Sequence, residues 1–439
     1  MNKIVKVSIV ASLAGFLFGF DTIVISGADQ QLQRLWNTSD LFHGTFIMSM
    51  ALWGTVIGSI TGSYPCDQWG RKKSLIIIGF LFLISAIGCA LVSNPYVFSF
   101  YRFIGGIGVG LSTVVAPTYI SEISPAEKRG QMVALYQFNI VFGILVAFMS
   151  NYLLREFGNE PWRWMLGVES IPAFIYLIGI FGVPESPRWL IFKKGDTIQA
   201  NSIFKEIGGS NISTDILKTI SETENTLKSN TLFRKKYSFP ILLAFLIAFF
   251  NQLSGINAFL YYSPRIFEAG GLETSSALLG SFGIGIANLI FTLIGIYLID
   301  RYGRKILMYI GSFGYIISLS LVSIAFINSW DGLSIPIFLF LFIASHAVGQ
   351  GAVIWVFISE IFPNNLRAKG QSLGSSVHWI LAALITLFMP TALSYFNNPG
   401  YVFIFFAFMM FIQLLFVIFI MPETKKISLE SLSNSLSKN

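Results

Sequence analysis

Long apolar runs recur along nearly the whole chain, each close to the roughly 20 residues that cross about 30 Å of hydrocarbon as a helix. They begin near Val7, Thr45, Ser74, Tyr96, Gln131 and Trp164 and, after a polar stretch, near Phe239, Thr274, Ile306, Ser334, Gly370 and Gly400. The pattern predicts twelve transmembrane helices in two groups of six. Only the turn at Ser93, Asn94 and Pro95 parts the third span from the fourth. The first run, about Val7 to Ala28, follows Lys3 and Lys6 in the manner of a secretory signal. It is longer than a signal's apolar core and no cleavage site follows it, so it reads as a retained spanning helix. Pro184 to Ser238 is polar and rich in Lys, Ser and Asn. Weak helical periodicity at Thr197–Ile207 and Ile212–Leu227 predicts short surface helices there, with a disordered linker as the alternative. The expected organisation is a six-helix half (1–183), a cytoplasmic linker (184–238), a second six-helix half (239–421) and a cytoplasmic tail (422–439).

Composition agrees: 54% of the 439 residues are hydrophobic and only 12% charged, a balance outside that of soluble domains. The excess of 29 Lys+Arg over 22 Asp+Glu would suggest nucleic acid in a soluble protein. Here placement matters more. With the N-terminus in the cytoplasm, only Arg34, Arg155, Arg163 and Arg265 fall outside and Arg102 within a span. Cytoplasmic loops carry the basic excess, which predicts a multi-pass protein of the cell (plasma or inner) membrane with both termini cytoplasmic. Cys66 and Cys89 lack the spacing of a metal site or disulfide framework. No nucleophile constellation, phosphate loop or metal cluster is evident, so an enzyme, a cofactor, a bound metal and a nucleic-acid partner are not expected.

The two halves repeat each other. CDQWGRKK (Cys66 to Lys73) returns as IDRYGRKI (Ile299 to Ile306), ISEISPAEKRG (Ile120 to Gly130) as ISEIFPNNLRAKG (Ile358 to Gly370), and PESPR (Pro184 to Arg188) as PET (Pro422 to Thr424). The offsets are 233 (300 minus 67), 238 (360 minus 122) and 238 (422 minus 184). Three motif pairs in register imply a parallel repeat of pseudo-symmetric halves with a substrate site near the bilayer midplane.

Charges inside the bilayer are costly, about 2.5–3.5 kcal/mol each on insertion scales, and read as functional by default. At about 1.5 Å rise per residue, Asp21, Arg102 and Glu169 lie within about one turn of a common depth on three different spans. A carboxylate beside a guanidinium keeps its charge, and one that loses that partner accepts a proton more readily. The group can therefore act as a proton switch; the alternative is a static ion pair.

GFDTIVISG in the first span, DQWGRKK, YRFIGGIGVG running to PTYISEISPAEKRG, PESPRWL, NQLSGINAFLYYSP in the seventh span, DRYGRK and the final PETK resemble the sugar porter branch of the major facilitator superfamily, and nearly the whole chain is covered. The likeness is nearest to bacterial proton symporters for xylose, galactose, arabinose or glucose, and more distant to animal glucose facilitators. It implies the major facilitator fold, a monosaccharide (hexose or pentose) substrate, alternating access by a rocker switch, protons as co-substrate, and function as a monomer. Bacterial symporters carry Asp and Arg where Asp21 and Arg102 stand, while facilitators are neutral at the first. That favours symport over facilitation. Glu169 lies in WRWMLGVES, which also matches facilitators, so a structural role stays open.

A sugar offers hydroxyls that donate and accept, and neutral amides answer both, while aromatic faces cover its C–H surfaces. The resemblance implies sugar contacts at Gln137, Gln252, Asn257, Asn288, Trp355 and Trp379. Asn251 replaces the first Gln of a frequent Gln-Gln pair, and His378 occupies a position that faces the sugar in relatives. Each amide could instead bond neighbouring helices, and His378 could be a core histidine. Gly255 offers a break in the seventh span, and Tyr261 and Tyr262 beyond it suggest an extracellular gate. The resemblance also implies an inner salt-bridge network of Arg71, Glu122, Arg129, Glu185, Arg188, Arg304, Glu360 and Arg367. Gln68 departs from the Arg usual in the first Gly-Arg-Lys loop, and the tenth span lacks the prolines relatives often carry. His43, at the outer start of the second span, reads as a surface residue or a proton relay. A sensor on a transporter scaffold would be expected to carry a long signalling tail; the segment after the last apolar run is short.

Overall fold

The computed structural model describes residues 3–124, 129–207, 232–330, 333–363, 366–396 and 398–425. Twelve helices are long and apolar enough to span a bilayer: Lys3–Trp36, Asp40–Thr61, Arg71–Leu91, Pro95–Ile123, Gln131–Leu154, Pro161–Phe181, Lys235–Ala269, Thr274–Tyr302, Arg304–Ile327, Ser334–Ile361, Lys369–Tyr395 and Gly400–Phe419. The protein is a multi-pass membrane protein. The apolar residues it exposes fit that solvent; Phe174, Ile175 and Ile178 of the sixth span and Phe405, Phe408 and Phe411 of the twelfth are examples. The first helix runs past the expected end at Ala28 to Trp36, because the amphipathic segment DQQLQRLW keeps helical bonding after hydropathy falls.

Four spans are interrupted: the second bends at Ser49 after the π-helical turn His43–Met48, and in the other three the sequence makes a continuous helix costly. The sixth breaks at Val168 and Glu169, just before Pro172, which has no N–H to give back to the preceding turn. The seventh breaks at Gly255, whose φ of 82° is a left-handed conformation that favours glycine. The tenth, whose one proline, Pro336, lies in its first turn, breaks at Gly349 (φ −87°, ψ −99°).

Elsewhere packing is tight enough to forbid a side chain. On the second span Gly54 and Gly58 face Gly106 and Gly110 of the fourth. A Cβ at Gly106 would sit 1.9 Å from the Ala51 carbonyl oxygen, and one at Gly110 would sit 2.4 Å from that of Thr55. Small residues at four-residue spacing let helix backbones touch where no hydrophobic effect drives association. Gly106→Val must force these helices apart, and we expect a loss at or beyond the upper end of the about 1–3 kcal/mol typical of overpacking. Detergent-solubilised yield and melting would show it; a variant that melts with the wild type would refute the contact.

The chain forms two compact units. One comprises 1–24, 50–150 and 157–229; the other comprises 25–49, 151–156 and 230–439. The second unit thus takes in the ends of the first, second and fifth spans as well as the later helices. In the linker, Thr197–Ile207 is helical, while the expected helix at Ile212–Leu227 lies outside the described residues.

Candidate functional site

In the first unit, Asp21, Arg102 and Glu169 come together with about 1% exposure each. Arg102 Nη1 donates to Asp21 Oδ1 at 2.8 Å, and Nη2 donates to the Asp21 backbone carbonyl at 3.1 Å. The Glu169 carboxyl is presented at the turn in the sixth span, and among the described residues its Oε1 and the Oδ2 of Asp21 are buried without a hydrogen-bond partner. Gly105 leaves the room: a Cβ there would meet Ser85 Oγ at 2.4 Å and Asp21 Oδ1 at 3.1 Å. Two buried carboxyls thus share this unit with one guanidinium, which is paired with Asp21. Gln137, also in this unit, stands half-buried on the fifth span.

The second unit gathers most of the other polar candidates. Asn257 Nδ2 donates to Gln252 Oε1 at 2.7 Å, and Gln252 Nε2 donates to Asn251 Oδ1 at 2.9 Å. Gln252 Nε2 also lies 3.1 Å from Nδ1 and 3.2 Å from Nε2 of His378. The His378 ring packs between Trp355 (5.1 Å between centroids) and Trp379 (4.7 Å). Asn288 is buried on the eighth span. The break at Gly255 starts a new helix carrying Asn257, which turns this amide back onto Gln252.

Three polar residues that sequence reasoning missed extend the group. Asn251 Nδ2 approaches Gln350 Oε1 at 3.5 Å, Gln350 Nε2 donates to Gln413 Oε1 at 2.7 Å, and Gln413 Nε2 donates to Ser312 Oγ at 2.8 Å. Gln350 follows the break at Gly349. Amides deep in apolar runs were the available signal, since each is expensive unless paired.

Tyr261 and Tyr262 are buried rather than lining an open mouth, and Tyr262 donates to the Thr386 carbonyl at 2.8 Å. Tyr262 itself departs from helical geometry (φ −116°, ψ 18°). His43 corrects the surface reading: it is fully buried, with Nε2 2.7 Å from Asp29 Oδ1.

At the two Gly-Arg-Lys loops the sequence repeats build the same clasp. Arg71 forks onto Glu122 with both bonds at 2.9 Å. Arg304 forks onto Glu360 at 2.7 and 3.1 Å. Glu185 accepts the N–H groups of Arg71 and Lys72, both at 3.0 Å. Glu423 accepts those of Arg304 and Lys305, also at 3.0 Å. Ser186 and Thr424 each donate to the clasp's other glutamate, at 2.5 and 2.6 Å. Gly70 (φ 98°) and Gly303 (φ 97°) make the approach: a Cβ would lie 2.4 Å from Glu185 Oε2 or 2.6 Å from Glu423 Oε2. Burial alone would raise the Glu423 carboxyl, but the N–H groups of Lys425, Lys305, Arg304 and Thr424 outweigh it and hold the pKa below its usual range. Glu423, Ser186 and Thr424 were not singled out from sequence. Arg188, in the short helix Pro187–Trp189, and Arg367, opening the eleventh helix, are half-buried nearby in sequence. The side chain of Arg129 lies outside the described residues.

Twelve helices with a repeated inner clasp, a buried ion-pair group and a neutral amide cluster define a multi-pass transporter of the major facilitator fold. The profile of the family described as "Sugar (and other) transporter" matches residues 7–436, and the chain belongs to that family. The D-xylose-proton symporter of Escherichia coli (strain K12) is 34% identical, over 98% of this chain and 95% of that protein. The arabinose-proton symporter of Bacillus subtilis (strain 168) is 35% identical, with the same coverage of each. Among solved structures, the inward-open conformation of the xylose transporter XylE from E. coli has a TM-score of 0.86 at 33% identity, covering 98% of this chain and 99% of that one.

Proposed function

We propose that this protein is a proton-coupled monosaccharide symporter working by alternating access, with both termini in the cytoplasm. The observation that carries the reading is the Asp21–Arg102–Glu169 group: two carboxyls and one guanidinium buried in one unit, with Arg102 paired to Asp21. Full-length likeness to proteins named as proton symporters for xylose and arabinose supports a pentose or hexose as cargo.

The sugar is held by Gln252, Asn251, Asn257 and Asn288, with Trp355, Trp379 and His378 against it. Gln252 has its carbonyl occupied by Asn257 and its amide N–H groups directed at Asn251 and His378. A sugar hydroxyl entering this group exchanges hydrogen bonds with amides already oriented, so little ordering remains to be done on binding. The kink at Tyr262 makes the outer part of the seventh span the gate.

The test is uptake of labelled pentoses, hexoses and inositol into proteoliposomes with and without an inward proton gradient. Accumulation above equilibrium that collapses with a protonophore is the expected result. Equilibration without accumulation would make the protein a facilitator, and transport of none of the sugars would overturn the substrate class. For the best substrate, Gln252→Ala should raise KM about tenfold, as expected for one or two hydrogen bonds at about 0.5–1.5 kcal/mol each. An unchanged KM would remove Gln252 from the site.

A further inference from the structure

A second charged cluster lies in the second unit, at the end of its spans away from the Gly303–Arg304 loop, which we call outer, and it shares no residue with the proton and sugar groups. Asp29 is about 1% exposed, a setting in which burying a carboxylate is costly unless it is paired. It accepts two bonds from Arg265, Nε to Oδ2 at 2.8 Å and Nη2 to Oδ1 at 2.9 Å. The fully buried His43 contributes a third contact, 2.7 Å from Oδ1. Arg265 Nη2 also donates to Gln33 Oε1 at 2.5 Å, Gln33 Nε2 donates to Asp40 Oδ1 at 2.7 Å, and Gln30 Nε2 donates to Glu268 Oε2 at 2.5 Å. The Arg265 guanidinium lies 5.7 Å from the centre of the Tyr262 ring, at the kink.

The partners come from opposite halves of the sequence. Asp29, Gln30 and Gln33 are on the first span, His43 and Asp40 on the second, Arg265 and Glu268 on the seventh. On the first span they occupy one stripe at helical spacing. Gly44 draws the second span equally close to the eleventh, where a Cβ would sit 2.0 Å from the Leu387 carbonyl. Residues 25–49 belong to the same compact unit as 230–439.

We propose that Asp29, Arg265 and His43 form an outer latch, a set of positioning residues that holds the outer ends of the first, second and seventh spans together in the outward-closed state and must part for sugar to enter from outside. The inference rests on the alternating-access reading, but its geometry involves no sugar-binding residue. Parting is a discrete event: His43 stays with Asp29 in its own half, while Asp29 loses both bonds of the bidentate Arg265 together, so water must replace two contacts at once.

The test reads conformation directly. Ser26 is buried one turn inward on the Asp29 stripe. Ser26→Cys, in a background with Cys66→Ser and Cys89→Ser, reports outer opening by its rate of labelling with a membrane-impermeant maleimide without sugar or gradient. Asp29→Asn and Arg265→Gln should each speed labelling by about tenfold, within the range of coupling energies between sites. Arg265→Lys should fall between Gln and wild type, and the double variant Asp29→Asn/Arg265→Gln should add little to either single one. Arg34→Gln should change nothing, because Arg34 is exposed and donates to Gln30 O of its own helix. Unchanged labelling in well-folded Asp29→Asn and Arg265→Gln overturns the latch. Should those variants not fold, Gln30→Cys with Glu268→Cys decides: an oxidised crosslink should suppress labelling at position 26 and dithiothreitol should restore it, while labelling that ignores the crosslink overturns the proposal. If labelling behaves as expected but no sugar is transported, the latch stands and the substrate reading falls.

Discussion

Asp21→Asn should abolish proton-driven accumulation while leaving sugar exchange across the membrane. The neutral amide keeps the shape of the side chain and still bonds Arg102, but it cannot take up or release the proton that links the gradient to sugar movement. Accumulation should drop to the equilibrium ratio of one. Counterflow, which needs sugar binding and conformational exchange but no net proton movement, should persist within a few-fold. Arg102→Gln should damage more, because it strands the Asp21 carboxylate in a site with 1% exposure, and breaking a buried pair from one side costs about 3–5 kcal/mol. Gradient-driven uptake and counterflow measured side by side separate these outcomes. Accumulation retained by Asp21→Asn would reduce the group to a structural ion pair.

The second large effect is expected at the inner clasp. Arg304→Ala leaves Glu360 without its fork, with side-chain exposures of 10% and 19% for the pair. A loss of about 3 kcal/mol follows from the same one-sided removal. Removing both partners should cost less than removing Arg304 alone. Thermal inactivation of the purified protein is the measurement, and a clasp variant that inactivates with the wild type would contradict the geometry. The clasp also makes stability depend on acid. Because the folded pKa of Glu423 is depressed, its contribution is complete above the ordinary glutamate value of about 4.3 and is lost as pH falls through the lower folded value. Glu423→Gln should remove that part of the acid sensitivity; an unchanged acid profile would assign the sensitivity to other groups.

Most of the architecture was legible because a bilayer leaves the chain little choice: an apolar run of sufficient length is a helix. Residues of the proton group were equally visible, since a charge in such a run has few reasons to be there. Polar residues just beyond the runs were harder to read. Asp29, Gln33 and His43 look like ordinary surface residues in sequence, and only the packing of the first and second spans with the seventh reveals a buried site. Gln350 and Gln413 were overlooked for another reason: each is a single amide in its run, and its partner lies 63 positions away. The middle of the tenth span lacks the prolines relatives often carry and gave no sign of a break, yet Gly349 supplies one.

The glycine contact between the second and fourth spans has a mechanical consequence. Carbonyl groups that would lie about 2 Å from an added methyl leave no room between those helices, so over Met50–Thr61 the second span moves with the fourth. Compliance must then be concentrated where helices are already discontinuous, at Ser49, Glu169, Gly255 and Gly349. Gly255 and Gly349 adjoin the amide cluster, Glu169 belongs to the buried charged group, and Ser49 precedes the glycine contact. Strain relieved or imposed by the cargo is delivered where the molecule can bend.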